Sequence, residues 1–297
     1  LDKKTIRFIV NPFSGVSQKQ NINELIKKSL DLSLYEYDLI YTEAPMHARE
    51  LAQQSVKENV NSVIAIGGDG TVNEVAAPLL NTKVNLGIIP GGSGNGFAMH
   101  LGIGRNMKKA IRHLNVAKET TIDTCKINDE FYLNLSGVGF DASVAYFTKQ
   151  SSRRGFKVYF NSAMKEALKY ENMHYRIQYD DVVIEDKFLS INVANASMFG
   201  YNFRIAPLAN LHDGLLDVVM IKDASKARYI TSVWRFLNSS LHKSPIVEII
   251  RTKSLIIESN KPMHYHRDGE GAISTDKLAF SINPLSLRLL VPASYSL

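Results

Sequence analysis

The run Ser62-Val63-Ile64-Ala65-Ile66 passes without a polar break into Gly67-Gly68-Asp69-Gly70-Thr71, and residues 72–80 then carry a helical pattern. A strand that is apolar on both faces must be covered on both faces, which is the condition of a central strand in a parallel sheet. A glycine turn leading at once into a helix makes this the start of a βα unit, and such units build right-handed crossovers. These nineteen or so residues constrain the fold more than any other stretch of the chain, because few architectures accept them.

The neighbouring segments repeat the alternation. Ile6-Arg7-Phe8-Ile9-Val10 reads as a strand that ends on the turn formers Asn11-Pro12 and Ser14-Gly15. Ile22, Leu25, Ile26 and Leu30 follow at helical spacing. Residues 37–42 read as the next strand and 47–57 as the next helix. Leu86-Gly87-Ile88-Ile89-Pro90 is a fourth strand, ending in Gly91-Gly92-Ser93-Gly94-Asn95-Gly96, and 107–116 closes the region as a helix. The pattern predicts a doubly wound parallel α/β domain over residues 1–121.

From about Thr121 the texture changes to short β-rich runs at 131–135, 175–179, 188–194, 215–221, 254–258 and 287–291. Asn128-Asp129, Asp180-Asp181 and Asp213-Gly214 supply turns between them, and helical stretches fall near 156–170 and 225–242. We expect a second domain over 122–297, dominated by antiparallel strands and packed against the first around a cleft. The 297 residues suit two domains, and 45% hydrophobic with 22% charged residues is ordinary for a globular protein. No apolar run reaches the roughly 18 residues of a membrane-spanning helix. The N-terminal residues read as the approach to a strand, without the apolar core of a signal peptide. Cys125 is the one cysteine, which excludes an internal disulfide and suits a reducing cytoplasm. The formal charge of +6 favours an anionic partner: nucleotide phosphates, an acidic membrane surface or nucleic acid.

Three strand ends carry small or turn-forming residues: 11–15, 67–71 and 91–96. In a doubly wound sheet these carboxyl ends line one edge, where ligands bind at the switch in strand order. Glycines there let backbone N–H groups approach phosphate oxygens, and a helix N-terminus adds its positive dipole end. Asp69 lies inside such a turn, where a carboxylate repels phosphate unless a cation stands between them. The chemistry therefore calls for Mg²⁺ at Asp69, the alternative being an aspartate that caps the following helix. No GxxxxGK[ST] is present, which excludes a P-loop enzyme. Gly137–Ala142 fits GxGxxA but lacks the downstream acid of a dinucleotide site. His266-Arg267-Asp268 lacks the downstream Asn of a protein-kinase catalytic loop, since Ile273 holds that place. His264 and His266 alternate on a strand without the further ligands of a metal site.

Together, Asn11-Pro12-x-Ser14-Gly15, Gly67-Gly68-Asp69-Gly70-Thr71-Val72-Asn73-Glu74, Pro90-x-Gly92-Ser93-Gly94-Asn95 and Asp268-Gly269-Glu270 resemble the diacylglycerol kinase catalytic-domain family, which includes bacterial lipid kinases, sphingosine kinases and ceramide kinases. The resemblance runs from about residue 6 to 293. It implies an N-terminal domain related to NAD kinase and phosphofructokinase, a C-terminal β-sandwich, and ATP with Mg²⁺ between the domains. It further implies nucleotide contacts at Asn11, Ser14, Gly15 and Thr42. Phosphate contacts would come from Gly68, Asp69, Gly70, Thr71, Gly92, Ser93 and Asn95, with Asn73 and Glu74 supporting the metal. Arg153, Arg154 and Lys157 match a basic cluster that reaches the phosphates. Glu270 is the implied general base, with Asp69 as the other candidate. Asp213-Gly214-Leu215-Leu216-Asp217 matches a segment that binds a structural Mg²⁺ in some bacterial members, and a plain hairpin turn is the alternative. Many bacterial diacylglycerol kinases carry a basic residue where this chain has Val16, and an acid where it has Gly96. The Gly-Ser-Gly-Asn form is similar to sphingosine and ceramide kinases. Diacylglycerol-like and sphingoid acceptors therefore both stand, and Asp141 is the nearest candidate for a sphingoid-reading aspartate.

The stretch 225–242 places Ile230, Val233, Trp234, Leu237 and Leu241 at helical spacing, with Arg228, Arg235 and His242 on another face. It reads either as a core-packing helix with a basic solvent face or as a membrane-facing helix. The expected partner is a lipid substrate at a membrane surface, met by a cytoplasmic enzyme in transient peripheral contact, with no nucleic-acid partner and a homodimer left open. Two rival functions share these motifs: a kinase of the same fold acting on a soluble substrate, as an NAD kinase does, and a non-catalytic lipid-binding regulator.

Overall fold

The computed structural model describes residues 3–15, 21–92, 94–149, 156–167, 169–200, 203–274 and 276–296. The chain divides into two units, one of residues 1–123 with 285–297, the other of residues 124–284. The expected single break near residue 121 is thus amended: the C-terminal segment returns to the first unit.

The first unit contains β1 (Lys4–Val10), α1 (Ile22–Ser29), β2 (Tyr35–Tyr41), α2 (His47–Lys57), β3 (Ser62–Gly67), α3 (Asp69–Leu79), β4 (Asn85–Pro90), α4 (Gly96–His100), α5 (Met107–Leu114) and most of β5 (Lys118–Ile127). Strands run parallel in the order β2-β1-β3-β4. Every residue of β3 and β4 is buried, as a strand covered on both faces requires, whereas β2 alternates at the sheet margin. The chain leaves β1 in one direction toward β2 and comes back on its other side as β3. The carboxyl ends of β1 and β3 therefore flank the switch in strand order. Those are the ends that carry the first two glycine turns.

The second unit contains β6 (Glu130–Tyr132), β7 (Leu135–Gly139), α6 (Phe140–Lys149), α7 (Phe156–Ala167), β8 (Met173–Tyr179), β9 (Val182–Ala194), β10 (Met198–Gly200), β11 (Phe203–Arg204), β12 (Leu216–Lys222), α8 (Lys226–Leu237), β13 (Val247–Thr252), β14 (Ser254–Glu258), β15 (Met263–Arg267), β16 (Glu270–Ser274) and β17 (Lys277–Val291), whose last residues rejoin the first unit. Its described pairings, apart from the β17 end, are antiparallel. Val182–Phe188 of β9 pair with β8, while its later residues pair with both β7 and β12, so this one strand bends from one layer into the next. Alternation on β12 shows the two layers: Leu216, Val218 and Met220 enter the main core with Ile177, Phe188, Ile257 and Phe280. Val219 faces the other way, into a second core with Leu135, Ile205 and Leu241. Helix α8 lies over that second core through Phe236.

Candidate active site

Asn11 fixes the first turn. Its backbone N–H donates to Ile66 O at 3.0 Å, its side-chain oxygen accepts from Phe13 N at 2.9 Å, and its Nδ2 donates to Thr71 Oγ1 at 3.0 Å. Ser14 Oγ donates back to Asn11 O at 3.1 Å, so turn and side chain close on each other. Gly15 has φ +79°, and a Cβ there would overlap the carbonyl oxygen of Gly91. A Cβ on Gly92 would stand 2.5 Å from Gly68 Cα. All three glycine turns thus meet backbone to backbone, and only glycine permits that approach. Asn95, at φ +52°, holds the third turn: its Oδ1 accepts from Gly92 N at 3.0 Å and its Nδ2 donates to Gly92 O at 2.6 Å.

Helix α3 begins at Asp69, earlier than its apolar periodicity suggested, so Asp69, Gly70 and Thr71 form its first turn. Gly68 is the N-cap and carries no side chain with which to cap the helix. The first-turn N–H groups and the dipole end thus point into the glycine cluster. Asp69 Oδ2 accepts from Gly96 N at 3.3 Å, and Asn73 and Glu74 follow half-buried on the same helix. Among the described residues no three His, Cys, Asp or Glu side chains stand together as a metal cage. Asp69 offers a hard cation one oxygen donor, and the remaining ligands would have to come from phosphate and water. Thr42 is buried at the end of β2, its N–H donating to Val10 O at 2.8 Å. Ser93, Arg153 and Arg154 lie outside the described residues, as does the side chain of Lys157 on α7.

In the second unit, Asp268-Gly269 is a two-residue hairpin turn between β15 and β16, with φ +48° and +86°. The Asp268 carboxylate accepts from three backbone N–H groups: Leu133 at 2.8 Å, Asn134 at 2.9 Å and Leu135 at 2.8 Å. Its own N–H donates to Leu135 O at 2.8 Å. Asp268 is therefore an anchor that pins the hairpin to the start of β7. This places Glu270, the next residue after the turn, on the exposed first position of β16. A Cβ on Gly271 would overlap the backbone of Tyr146, so β16 rests directly on α6.

Asp141, the candidate for a substrate-reading aspartate, lies on α6 beside β15. It is part-buried, and its Oδ2 lies 2.8 Å from Nε2 of the more deeply buried His266. Next to this pair, Ser143 Oγ and His264 Nδ1 are 2.7 Å apart, and His264 stacks on Tyr146 at 4.7 Å. Burial lowers the pKa of His264. A cavity of about 250 Å³ opens here, lined by Ser143, Glu166, Tyr170, Tyr175 and His264 among others. The sequence names Asp141, His264 and His266 separately; what it does not show is that α6, beginning directly at the end of β7, brings them together.

Asp213 and Asp217 do not fit a structural Mg²⁺. Arg251 lies opposite Asp217 in the β12–β13 register, pairs with Asp213, and places Nε 3.6 Å from Asp217 Oδ1. Asp213 Oδ1 also accepts from Leu215 N at 3.1 Å. A guanidinium already spans the two carboxylates, so the positive charge beside them comes from the chain itself. Arg251 carried no sequence signal, being 34 residues from Asp217 in an ordinary strand.

Comparison with known proteins agrees with this geometry. Residues 5–127 match the family model of the diacylglycerol kinase catalytic domain, and residues 135–291 that of the YegS C-terminal NAD kinase beta sandwich-like domain. The diacylglycerol kinase of Bacillus subtilis is 27% identical over 281 residues, 90% of each chain. That of Staphylococcus saprophyticus is 29% identical over 276 residues, 90% of this chain and 89% of the relative. A YegS-like lipid kinase of Chromohalobacter salexigens is 28% identical over 256 residues, 83% of this chain and 81% of its own. In three dimensions a Bacillus anthracis diacylglycerol kinase superposes with TM-score 0.73 at 19% identity, covering 99% of this chain and 98% of its own. An NAD kinase of Archaeoglobus fulgidus, solved with ATP, gives 0.52 at 12% identity, covering 97% and 94%. Parallel core, antiparallel sandwich, glycine turns and both family models converge: the chain belongs to the diacylglycerol kinase catalytic-domain family.

Proposed function

We propose that the chain transfers the γ-phosphoryl group of ATP to a hydroxyl of a diacylglycerol-like or sphingoid lipid. The observation that carries this reading is the backbone-to-backbone meeting of three glycine turns against the N-terminus of α3, whose N-cap is Gly68, with one carboxylate, Asp69, in that turn. Such a surface offers N–H donors to polyphosphate and one anionic ligand to its counter-ion. Mg²⁺ held by Asp69 would neutralise phosphate charge as the phosphoryl group moves. The chain's own contribution is positioning. Asn11 and Asn95 hold their turns by bonds to backbone and to Thr71. Glu270 accepts the proton of the acceptor hydroxyl, a modest demand because phosphoryl transfer rests mainly on orientation and charge.

The test is labelled phosphate transfer from ATP into a lipid panel of diacylglycerol, sphingosine and ceramide, with NAD as the soluble acceptor. Wild type should label at least one lipid and not NAD. Asp69→Asn and Glu270→Gln should each lower kcat, by about 10²-fold or more, the scale of a lost charge-stabilising or proton-accepting group. Full activity in both variants, or labelling of NAD alone, would overturn the reading.

A further inference from the structure

Helix α8 has one committed face and one uncommitted face. On the first, Phe236 stacks on Phe203 at 5.1 Å and meets Phe199 edge-on at 6.3 Å, while Ser232 Oγ is 2.8 Å from Ser244 Oγ in a buried contact. At about 100° per residue, Ala227, Thr231, Trp234 and Asn238 fall on the opposite face, and all four are exposed. Trp234, the one tryptophan in the chain, is 66% exposed. Arg228 and Arg235 lie seven residues apart along the border of that stripe. Residues 224–247 include Lys226, Arg228, Arg235 and Lys243 and no Asp or Glu. The acids that bracket the segment have partners of their own: Asp223 bonds to Asn172 and Tyr229, and Glu248 pairs with Lys222 at 2.7 Å.

We infer that α8 is the element by which this chain lies on an anionic bilayer, with Trp234 at headgroup depth and the arginines against lipid phosphates. An indole with an apolar body and one N–H donor is at its best where hydrocarbon meets water. Each cation near an anionic leaflet adds about 1 kcal/mol. One tryptophan and a few cations give shallow, reversible adsorption, not insertion. Among the described residues no helix is long and apolar enough to cross a membrane. A second copy of the chain fits this face poorly, because a two-fold contact through Trp234 would bring both sets of arginines together. The inference is independent of the acceptor and of the phosphate site.

The full chain is titrated with vesicles of phosphatidylcholine, with and without phosphatidylglycerol, following tryptophan emission, acrylamide quenching and co-sedimentation. We expect a blue shift and protection from quencher with the anionic vesicles alone, both weakened by salt. Arg228→Glu with Arg235→Glu should lower vesicle affinity at least about tenfold, given roughly 1 kcal/mol per cation. Trp234→Ala should weaken sedimentation with anionic vesicles and leave the fold intact by circular dichroism. Unchanged emission on vesicle binding would place the contact elsewhere and overturn the inference, as would unchanged affinity in the double arginine variant. A blue shift that grows with protein concentration in the absence of vesicles would name a second copy as the occupant, and would overturn it too. Vesicle binding without lipid phosphorylation would leave the inference standing and remove only the kinase reading.

Discussion

A Cβ at Gly92 would press on Gly68 Cα at 2.5 Å, whereas one at Gly94 would touch only Asp69 Oδ2 at 3.5 Å. That difference between two glycines of one motif is invisible in the sequence, although the motif itself announced a phosphate turn. Asp217 makes the same point more strongly. The family resemblance left its segment as either a metal loop or a hairpin turn, but its environment is set by Arg251 across the strand pair and by burial. Its Oδ2 is buried without a hydrogen-bond partner among the described residues, and the carboxyl pKa is pushed up to about 6, chiefly by burial, with Arg251 opposing and Asp213 adding. The folded chain therefore keeps this proton up to about pH 6, while the unfolded chain releases it near pH 4. Stability falls as pH rises between those values, by on the order of 2 kcal/mol from this group. Asp217→Asn should remove that fall. In urea titrations, its unfolding free energy relative to wild type should rise from pH 4 to pH 7, and a flat difference would exclude the buried acid.

At the scale of elements, periodicity revealed what packing repeats and missed what one contact decides. Helix α2 was legible at its full length and β3 to within one residue, because burial imposes a regular apolar pattern on each. Helix α6 was missed because it shows no single apolar stripe: it is covered by β16 on one side and contributes Phe147 and Tyr146 to the His264 stack on another. The β15–β16 hairpin was legible only as Asp-Gly. The structure shows that Asp268 also ties three backbone N–H groups of the segment 133–135. Those donors are part-buried, and each left without an acceptor costs about 1–3 kcal/mol. Asp268→Ala should therefore destabilise the second unit by several kcal/mol, measured by urea unfolding. Asp268→Asn, which keeps one acceptor oxygen, should lose markedly less. Equal losses in the two variants would mean that the turn conformation, and not the carboxylate, holds the hairpin.

For the molecule as a whole, the sequence suggested two consecutive domains, and the chain path is instead interleaved. Residues 285–297 belong with residues 1–123 because β17 outruns the second unit. Its far end is apolar where it arrives: Leu287 and Leu289 are fully buried, Val291 nearly so, and Leu289 pairs in parallel with Leu86 of β4. Leu285 N donates to Asp123 Oδ1 at 2.8 Å, and Ser286 O accepts from Asn81 N at 2.7 Å. A β-rich run at the end of a chain carries no mark of which sheet it will join, so this return was not legible. It has a direct consequence for stability. Three buried aliphatic side chains at about 1.5–3 kcal/mol each are worth as much as the whole margin of a typical domain. A chain ending at Pro284 should lose the cooperative unfolding of its first unit, seen as rapid amide exchange in β3 and β4 while β8 and β14 stay protected. A chain ending at Val291 lacks only the tail that follows the strand, and should keep the exchange pattern of the full protein. Protection of β3 and β4 in the shorter chain would show that the first unit stands without its returning strand.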